Sequence, residues 1–148
     1  MRFFLDLWQN DPLKCAVFSW IAAQALKVLL TLWVDRRLDW RRCFGMGGMP
    51  SSHAAFVFSL MVMIGLREGT GTVAFALAFA LAAVVIYDAM GVRAETGRQG
   101  AVLNRLLREV LVEGQPITEK KLKELVGHSP IEVAGGILVG TVMVLIMT

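Results

Sequence analysis

The chain has few of the residues that build disulfide-linked, metal-binding or strongly charged domains. Of its 148 residues only 18% are charged, two are cysteine and two are histidine. Cys15 and Cys43 are too few for a disulfide framework and lack zinc-type spacing, so we expect both to be reduced packing residues. The basic residues cluster beside apolar segments, as in loops that flank a membrane, and form no basic surface of a soluble domain. We therefore also expect no nucleic-acid partner.

Apolar residues are what the chain has in excess. They make up 56% of it, and the mean hydropathy is +0.61, outside the usual range of soluble domains. Asp6 and Asp11 stand where a secretory signal needs an uninterrupted apolar run, so we expect no cleaved signal. The predicted fold class is all-α: an integral membrane helical bundle, with one membrane-embedded domain over residues 1–148.

Four apolar segments predict about four spans, since a crossing takes about 20 residues. They run from Leu13 to Val34, from Ala54 to Leu66, from Thr72 to Met90 and from Ile131 to the C-terminus. The first contains Gln24 and Lys27, which are costly in lipid and should face other helices or a polar cavity. The second is short, so we expect a helix opened a turn earlier by residues 50–52, with a slanted or re-entrant path as alternatives.

A polar stretch, Gly91 to Ser129, separates the last two segments. Apolar residues recur in it at helical spacing from Val102 to Leu111, which predicts an amphipathic interfacial helix. A second short helix is predicted over Thr118 to Val126. In the last segment Gly136 and Gly140 are spaced as on a close-packing helix face, which would also suit a homo-oligomer.

The distribution of positive charge predicts the orientation in the membrane. With four crossings the loops Asp35–Met49 and Gly91–Ser129 lie on one side, and they hold 4 and 7 Lys/Arg residues. The other side has Arg2, Lys14 and Arg67. The positive-inside rule therefore places both long loops in the cytosol, in the cell inner or plasma membrane.

Each of the two histidines stands at or just before a predicted helix start. His53 lies in GGMPSSHAAF and His128 in LVGHSPIEVAGG. Unpaired backbone N–H groups and the helix dipole attract an anion such as phosphate to these positions. One imidazole would attack phosphorus while the other protonates the leaving oxygen, a pairing that needs no metal. The alternative is that both are ordinary interfacial or buried polar residues.

The acid nearest the second histidine has two interpretations. Glu132 follows His128 by four residues, one helical turn, so its carboxylate can hold an imidazole N–H and fix the tautomer. Ser129, Pro130 and Glu132 also have the order of a helix cap, an N1 proline and the acid of a capping box. A purely structural role for Glu132 therefore stays open.

Three pieces of the sequence, GGMPSSHAA, YDAMGVR and LKELVGHSPIEV, resemble a known family in order and spacing. The family is the small divergent branch of the type 2 phosphatidic acid phosphatase superfamily, described as acid phosphatase/vanadium-dependent haloperoxidase-related membrane proteins. The resemblance implies that His128 is the nucleophile, Glu132 its orienting acid and His53 the general acid. It also implies that Ser52 donates to phosphate and that Lys27 is the lysine of the first signature.

Two phosphate-binding arginines of the superfamily pattern are missing from their places. Val34 occupies the position seven residues after the lysine, where the pattern has arginine. Leu122 occupies the position six residues before the second histidine, where the pattern has the other arginine. We expect Arg93 to fill one gap, although a structural Asp88–Arg93 ion pair is an alternative. Lys123 or Arg98 would fill the other gap, and Asp88 is the remaining expected member of the phosphate site.

The resemblance implies a membrane phosphatase that hydrolyses a lipid phosphate or diphosphate through a phosphohistidine. It implies no cofactor, with vanadate acting as an inhibitor that mimics phosphate. Two alternatives remain from the sequence. One is vanadate-dependent halide oxidation, with vanadate as the cofactor. The other is a non-catalytic membrane scaffold, or a protein that binds or transports an anionic head group.

Overall fold

The computed structural model describes residues 2–35, 48–91, 99–103 and 129–148. The regular structure of these residues is helical throughout, with no strand among them, which confirms the all-α prediction. The helices are α1 (Arg2–Gln9), α2 (Asp11–Asp35), α3 (Ser52–Glu68), α4 (Val73–Met90) and α5 (Pro130–Met147). Residues 99–103 are also helical.

Three of these helices have the length and apolar composition needed to cross a membrane. The candidate spans are Asp11–Trp33, Val73–Met90 and Pro130–Met147. Large apolar side chains on them are exposed, among them Leu77 at 67% and Leu138 at 65%, as expected where lipid is the solvent. The predicted membrane bundle is therefore confirmed.

The second apolar segment of the sequence forms α3, which is not among these three candidate spans and packs against the other helices. It has 17 residues, so it is about 26 Å long at 1.5 Å per residue. Ser51 caps its start, which lies before the predicted Ala54 as the residues in front of it suggested. Its far end turns at Gly69, where φ is +92°, and α4 begins just after Thr72. This short turn makes α3 and α4 antiparallel neighbours.

Contacts at both ends of α3 fix the directions of its other neighbours. Arg67 at its end bonds Asp11 at the start of α2, with 2.9 Å between nitrogen and oxygen, so α2 and α3 are antiparallel. A Cβ on Gly140 of α5 would meet the carbonyl oxygen of Ala55 at 2.9 Å, and one on Gly136 would overlap that of Ser51. Hence α5 runs parallel to α3, and α3 extends from one end of the bundle to the other.

The close-packing glycine face is used within the chain. Gly136 and Gly140 are buried against α3. In the structure α3 of the same chain occupies this face. Self-association itself remains a prediction, and it would need another surface.

Small side chains dominate the interior. Ala16, Ala23 and Ala55 are fully buried, and Cys15 packs with Met63 and Val144 in an apolar cluster. Cys15 is free, as predicted, while Cys43 lies outside the described residues. Small residues let helix backbones approach closely, which is how a short α3 contacts three partners.

The predicted interfacial helix over Val102 to Leu111 is described only in part. Val102 and Leu103 are helical and exposed, in agreement with it. Its remainder, and the predicted short helix over Thr118 to Val126, lie outside the described residues. The structure adds a helix that the sequence reading omitted, α1, at the other end of the bundle.

Candidate active site

One end of the bundle collects the polar residues that the sequence singled out. The helices α3 and α5 begin there, and the antiparallel α2 and α4 end there. Among the titratable residues that the helices bring toward this end are Lys27 from α2, His53 from α3, Asp88 from α4 and Glu132 from α5. The structure therefore brings these four residues to one end of the bundle, while their shared membrane face stays a prediction.

The remaining candidates fall in parts of the chain that the structure does not describe. These are His128, Arg93, Arg98 and Lys123. Their roles stay predictions. Glu132 and the helix cap Ser129 are described, and His128 directly precedes that cap in sequence. The start of α5, with Ser129 and Glu132, is therefore the described part of the chain that lies nearest to His128 in sequence.

The starts of α3 and α5 are joined through their backbones. The N–H of Ser51 donates to the carbonyl oxygen of Glu132 at 2.8 Å. On the next turn of α5, Gly136 faces the Ser51 carbonyl oxygen, where any Cβ would overlap it. The glycine is therefore what lets the two helix starts meet.

The two helix starts differ in charge. At α5 the Glu132 carboxylate accepts the Ser129 N–H at 2.9 Å, and Ser129 Oγ accepts the Glu132 N–H at 3.3 Å. This is the capping box that the sequence allowed, and it places a negative charge at the start of α5. At α3 the cap is the neutral Ser51, whose Oγ accepts the Ala54 N–H at 3.4 Å. An anion is therefore favoured at the start of α3 and disfavoured at that of α5.

Ser52 and His53 form the first turn of α3. First-turn N–H groups of a helix have no acceptor within it, so they can bind an anion. The Ser52 side chain is 3% exposed, and Nδ1 of His53 is shielded from solvent. The hydroxyl and the imidazole are therefore held in a protected site at a helix start with positive potential.

Lys27 lies next to this start. It is 3% exposed, and its Cδ lies 3.7 Å from the position that a Cβ on Gly48 would take. Gly48 has φ of +90° and lies just ahead of Pro50 and Ser51, so the lysine stem passes the loop that leads into α3. A lysine at this depth needs compensation by an acceptor or an anion. The prediction that it faces the bundle interior is confirmed.

Counting along the helices gives the depth of the site. Gly65 faces Phe75 across the α3–α4 turn. Twelve residues back from Gly65 is His53, and twelve on from Phe75 is Tyr87, which is followed by Asp88. Tyr87 is 73% exposed near the end of a span, the usual position of an interfacial tyrosine. His53 therefore lies at about the level of Tyr87, near the end of the candidate span formed by α4.

The sequence reading did not include Gln24 in the site. Thirteen residues on from Asp11 is Gln24, and fourteen back from its ion-pair partner Arg67 is His53, so both lie at nearly one level. Oε1 of Gln24 is shielded from solvent. The sequence contains a signal for this position. Gln24 precedes Lys27 by three residues in an apolar run, so the two side chains share part of one helix face.

Side chains that hold metal ions do not cluster in the described ranges. No group of three or more His, Cys, Asp or Glu residues comes together among them. Asp88 and Glu132 are each half-buried at the site end. The described part of the site thus consists of a buried cation, a neutral helix start with its hydroxyl and imidazole, and two carboxylates on neighbouring helices.

The chain is similar in sequence to known membrane proteins along nearly its whole length. Residues 8–143 match the family described as the divergent PAP2 family. The chain is 36% identical over 153 aligned positions to the uncharacterized membrane protein YuiD of Bacillus subtilis (strain 168), with 97% of each chain covered. No solved structure matches it. This protein is therefore a membrane protein that belongs to the divergent PAP2 family.

Proposed function

We propose that this protein is a membrane phosphatase that hydrolyses a lipid phosphate or diphosphate. The observation that carries the proposal is the buried Lys27 beside the neutral start of α3, where Ser52 and His53 lie. A cation, a helix N-terminus, a hydroxyl and an imidazole are the groups that bind and neutralise a phosphoryl group. Family membership supports a phosphatase of this kind.

The mechanism we infer is a double displacement. His128 attacks phosphorus, and the bond between phosphorus and the leaving oxygen breaks as His53 gives that oxygen a proton. Water, deprotonated by His53, then attacks the phosphohistidine, which releases phosphate and restores both histidines. Glu132 holds the nucleophilic imidazole. Lys27, Ser52 and the N–H groups of the α3 start stabilise the non-bridging oxygens.

Further cations would complete the site. Arg93, aligned by Asp88, is the first candidate, and Lys123 or Arg98 would supply a second charge. Vanadate should inhibit, because it adopts the geometry of a phosphoryl group under attack. Resident cofactors are not part of this mechanism.

The depth of the site supports a lipid substrate. His53 lies level with Tyr87 at the end of α4, and the exposed sides of the spans are apolar. A lipid phosphate reaches this level while its chains stay in the bilayer. If the long loops are cytosolic, as their positive charge predicts, the substrate comes from the cytoplasmic leaflet.

Phosphate release by the purified protein from a panel of lipid phosphates and diphosphates tests the proposal. We expect His53→Ala and His128→Ala each to lower turnover by on the order of 10²-fold or more. Lys27→Met should give a comparable loss. Its matched control is Lys14→Met on the same helix, since Lys14 pairs with Asp11 at the other end of the bundle. Unchanged turnover in either histidine variant contradicts the proposed mechanism.

A second candidate function is binding or transport of an anionic head group without turnover. It is favoured by the capping box, which already uses the Glu132 carboxylate to accept the Ser129 N–H. Under this function the wild type binds lipid phosphate vesicles and releases no phosphate from any member of the panel. Lys27→Met would then weaken binding. Phosphate release that depends on both histidines decides for the phosphatase.

A further inference from the structure

At the end of the bundle opposite the candidate site, α1 exposes a set of large apolar side chains. Phe3, Phe4 and Trp8 are 70%, 74% and 72% exposed, and no residue of the helix is buried. In a protein surrounded by water alone, such a surface would be a liability.

The helix has two different sides. At 100° per residue, Phe3, Phe4, Leu7 and Trp8 fall on one side. The opposite side carries the polar residues Arg2, Asp6 and Gln9, with Leu5 at its edge. A short helix with bulky apolar residues on one side and polar residues on the other has the composition of helices that lie in a membrane interface.

α1 is a separate helix and not the first turns of α2. Asn10 caps α2, because its Oδ1 accepts the Leu13 N–H at 3.0 Å. Pro12 has no N–H with which to continue the hydrogen bonds of α1 into α2. A cap residue has a non-helical backbone, so the chain changes direction at Asn10.

Charged side chains form ion pairs at this end of the bundle, where we place the water boundary. Asp11 pairs with Lys14 at 2.6 Å and with Arg67 at 2.9 Å. Beyond this group the lipid-facing side chains of α2 begin, with Val17 and Phe18 exposed. α1 therefore joins α2 next to the point where the lipid-facing surface of the first span begins, and tryptophan is enriched at the membrane interface.

We propose that α1 lies in the membrane interface, with Phe3, Phe4, Leu7 and Trp8 among the lipid chains and the opposite side in water. Its occupant is lipid and not a second copy of the chain. An eight-residue helix is about 12 Å long, too little for the roughly 800 Å² per partner that a stable protein interface buries.

Tryptophan depth in vesicles tests this placement. One variant keeps only Trp8, with Trp20, Trp33 and Trp40 changed to Phe, and its control keeps only Trp20. Trp20 is 42% exposed and lies nine residues, about 14 Å, beyond Asp11. In vesicles with lipids brominated at shallow or deep acyl carbons, Trp8 should be quenched more by shallow bromine and Trp20 more by deep bromine.

Three results would overturn the placement. Trp8 emission as in water without quenching puts α1 in solvent, and quenching equal to that of Trp20 makes α1 part of the span. Blue-shifted emission without quenching means that protein covers the helix.

A second measurement leaves the tryptophans in place. Nitroxides on Phe4→Cys and Asp6→Cys, in a Cys15→Ala and Cys43→Ala background, should differ in their collision partners. The label at position 4 should favour oxygen, which concentrates in the bilayer, and that at position 6 a water-soluble nickel chelate. Equal preference at both positions overturns the two-sided placement.

Discussion

At the scale of single residues, the approach of α3 and α5 depends on one missing methyl group. The Ser51 carbonyl oxygen lies so close to Gly136 that it would overlap a Cβ added there. That added Cβ would also be only 2.9 Å from the Cβ of Ala54. Neither neighbour is the end of a flexible side chain, so a substitution must separate the two helix starts. The candidate site spans those starts, and its geometry would change with them.

We predict that Gly136→Ala destabilises the protein and lowers its phosphate release. Alanine gains about 1 kcal/mol over glycine in a helix, but overpacking costs about 1–3 kcal/mol. The thermal midpoint in detergent should therefore fall.

The matched control is the adjacent Gly135→Ala. A Cβ there lies 3.4 Å from Pro50 Cβ and 3.7 Å from Met49 Cε, so the midpoint should hold or rise. A Gly136→Ala protein as stable and active as the control would contradict this role.

Glu132 is the residue at which a structural and a chemical role can be separated. Glutamine also completes a capping box, so Glu132→Gln should leave the free energy of unfolding within about 0.5 kcal/mol. If the carboxylate also orients His128, turnover should fall by on the order of 10²-fold. We expect both results, measured by thermal unfolding and phosphate release. Full activity in this variant would leave Glu132 only its capping role.

At the scale of the elements, the α3–α4 turn holds α3 against α4. Gly69 ends α3 with φ at +92°, and Thr72 caps α4 by accepting the Phe75 N–H at 3.2 Å. Thr72 Oγ1 also donates to the Gly69 carbonyl oxygen at 3.0 Å, which closes the turn. The register between α3 and α4, and with it the level of His53 beside Tyr87, follows from this closure.

We predict that Gly69→Ala lowers the free energy of unfolding by about 1–2 kcal/mol, because a side chain is strained at positive φ. The control is Gly71→Ala, two residues on. Neither glycine has an atom within 4 Å of the Cβ position, and only Gly69 has positive φ. Gly71→Ala should therefore be neutral or slightly stabilising. Equal thermal midpoints for the two variants would show that the backbone at Gly69 carries no strain.

Most of the elements could be predicted from local sequence. Apolar runs located the spans, and serines before Ala54 and Ile131 located two helix starts, because caps and hydropathy act over a few residues. The burial of Lys27 followed from the cost of a charge in lipid. Helix α1 was not predicted. A two-turn helix has only a few apolar residues on one side, too few for a clear helical pattern in the sequence.

The pairing of elements could not be predicted in the same way. The spacing of Gly136 and Gly140 indicates a close helix contact, but it does not say whether the partner is α3 or another chain. Likewise, both helix starts have serine caps in sequence. Only the structure separates the α5 start, with its Glu132 carboxylate, from the neutral start of α3. Such distinctions rest on contacts between residues far apart in the chain.

At the scale of the whole molecule, the two ends of the bundle have different surroundings. The two segments that connect helices at the site end in sequence hold most of the positive charge of the chain. The other end has α1 and the ion group of Asp11, Lys14 and Arg67. If the charged loops are cytosolic, the site faces the cytosol and α1 lies on the other side of the membrane.

The two cysteines make this orientation measurable. Cys15 is fully buried and should not react, whereas Cys43 belongs to the first of the loops predicted to be cytosolic. A membrane-impermeant maleimide should therefore label Cys43 in inverted vesicles and not in intact cells. Gly71→Cys, in a Cys43→Ala background, should label with the opposite sidedness, because α3 carries the chain from one end of the bundle to the other. Labelling of both positions from one side would mean that α3 does not cross the membrane. Labelling of Cys43 from outside would mean that the orientation is the opposite of the predicted one, with the site on the outer face.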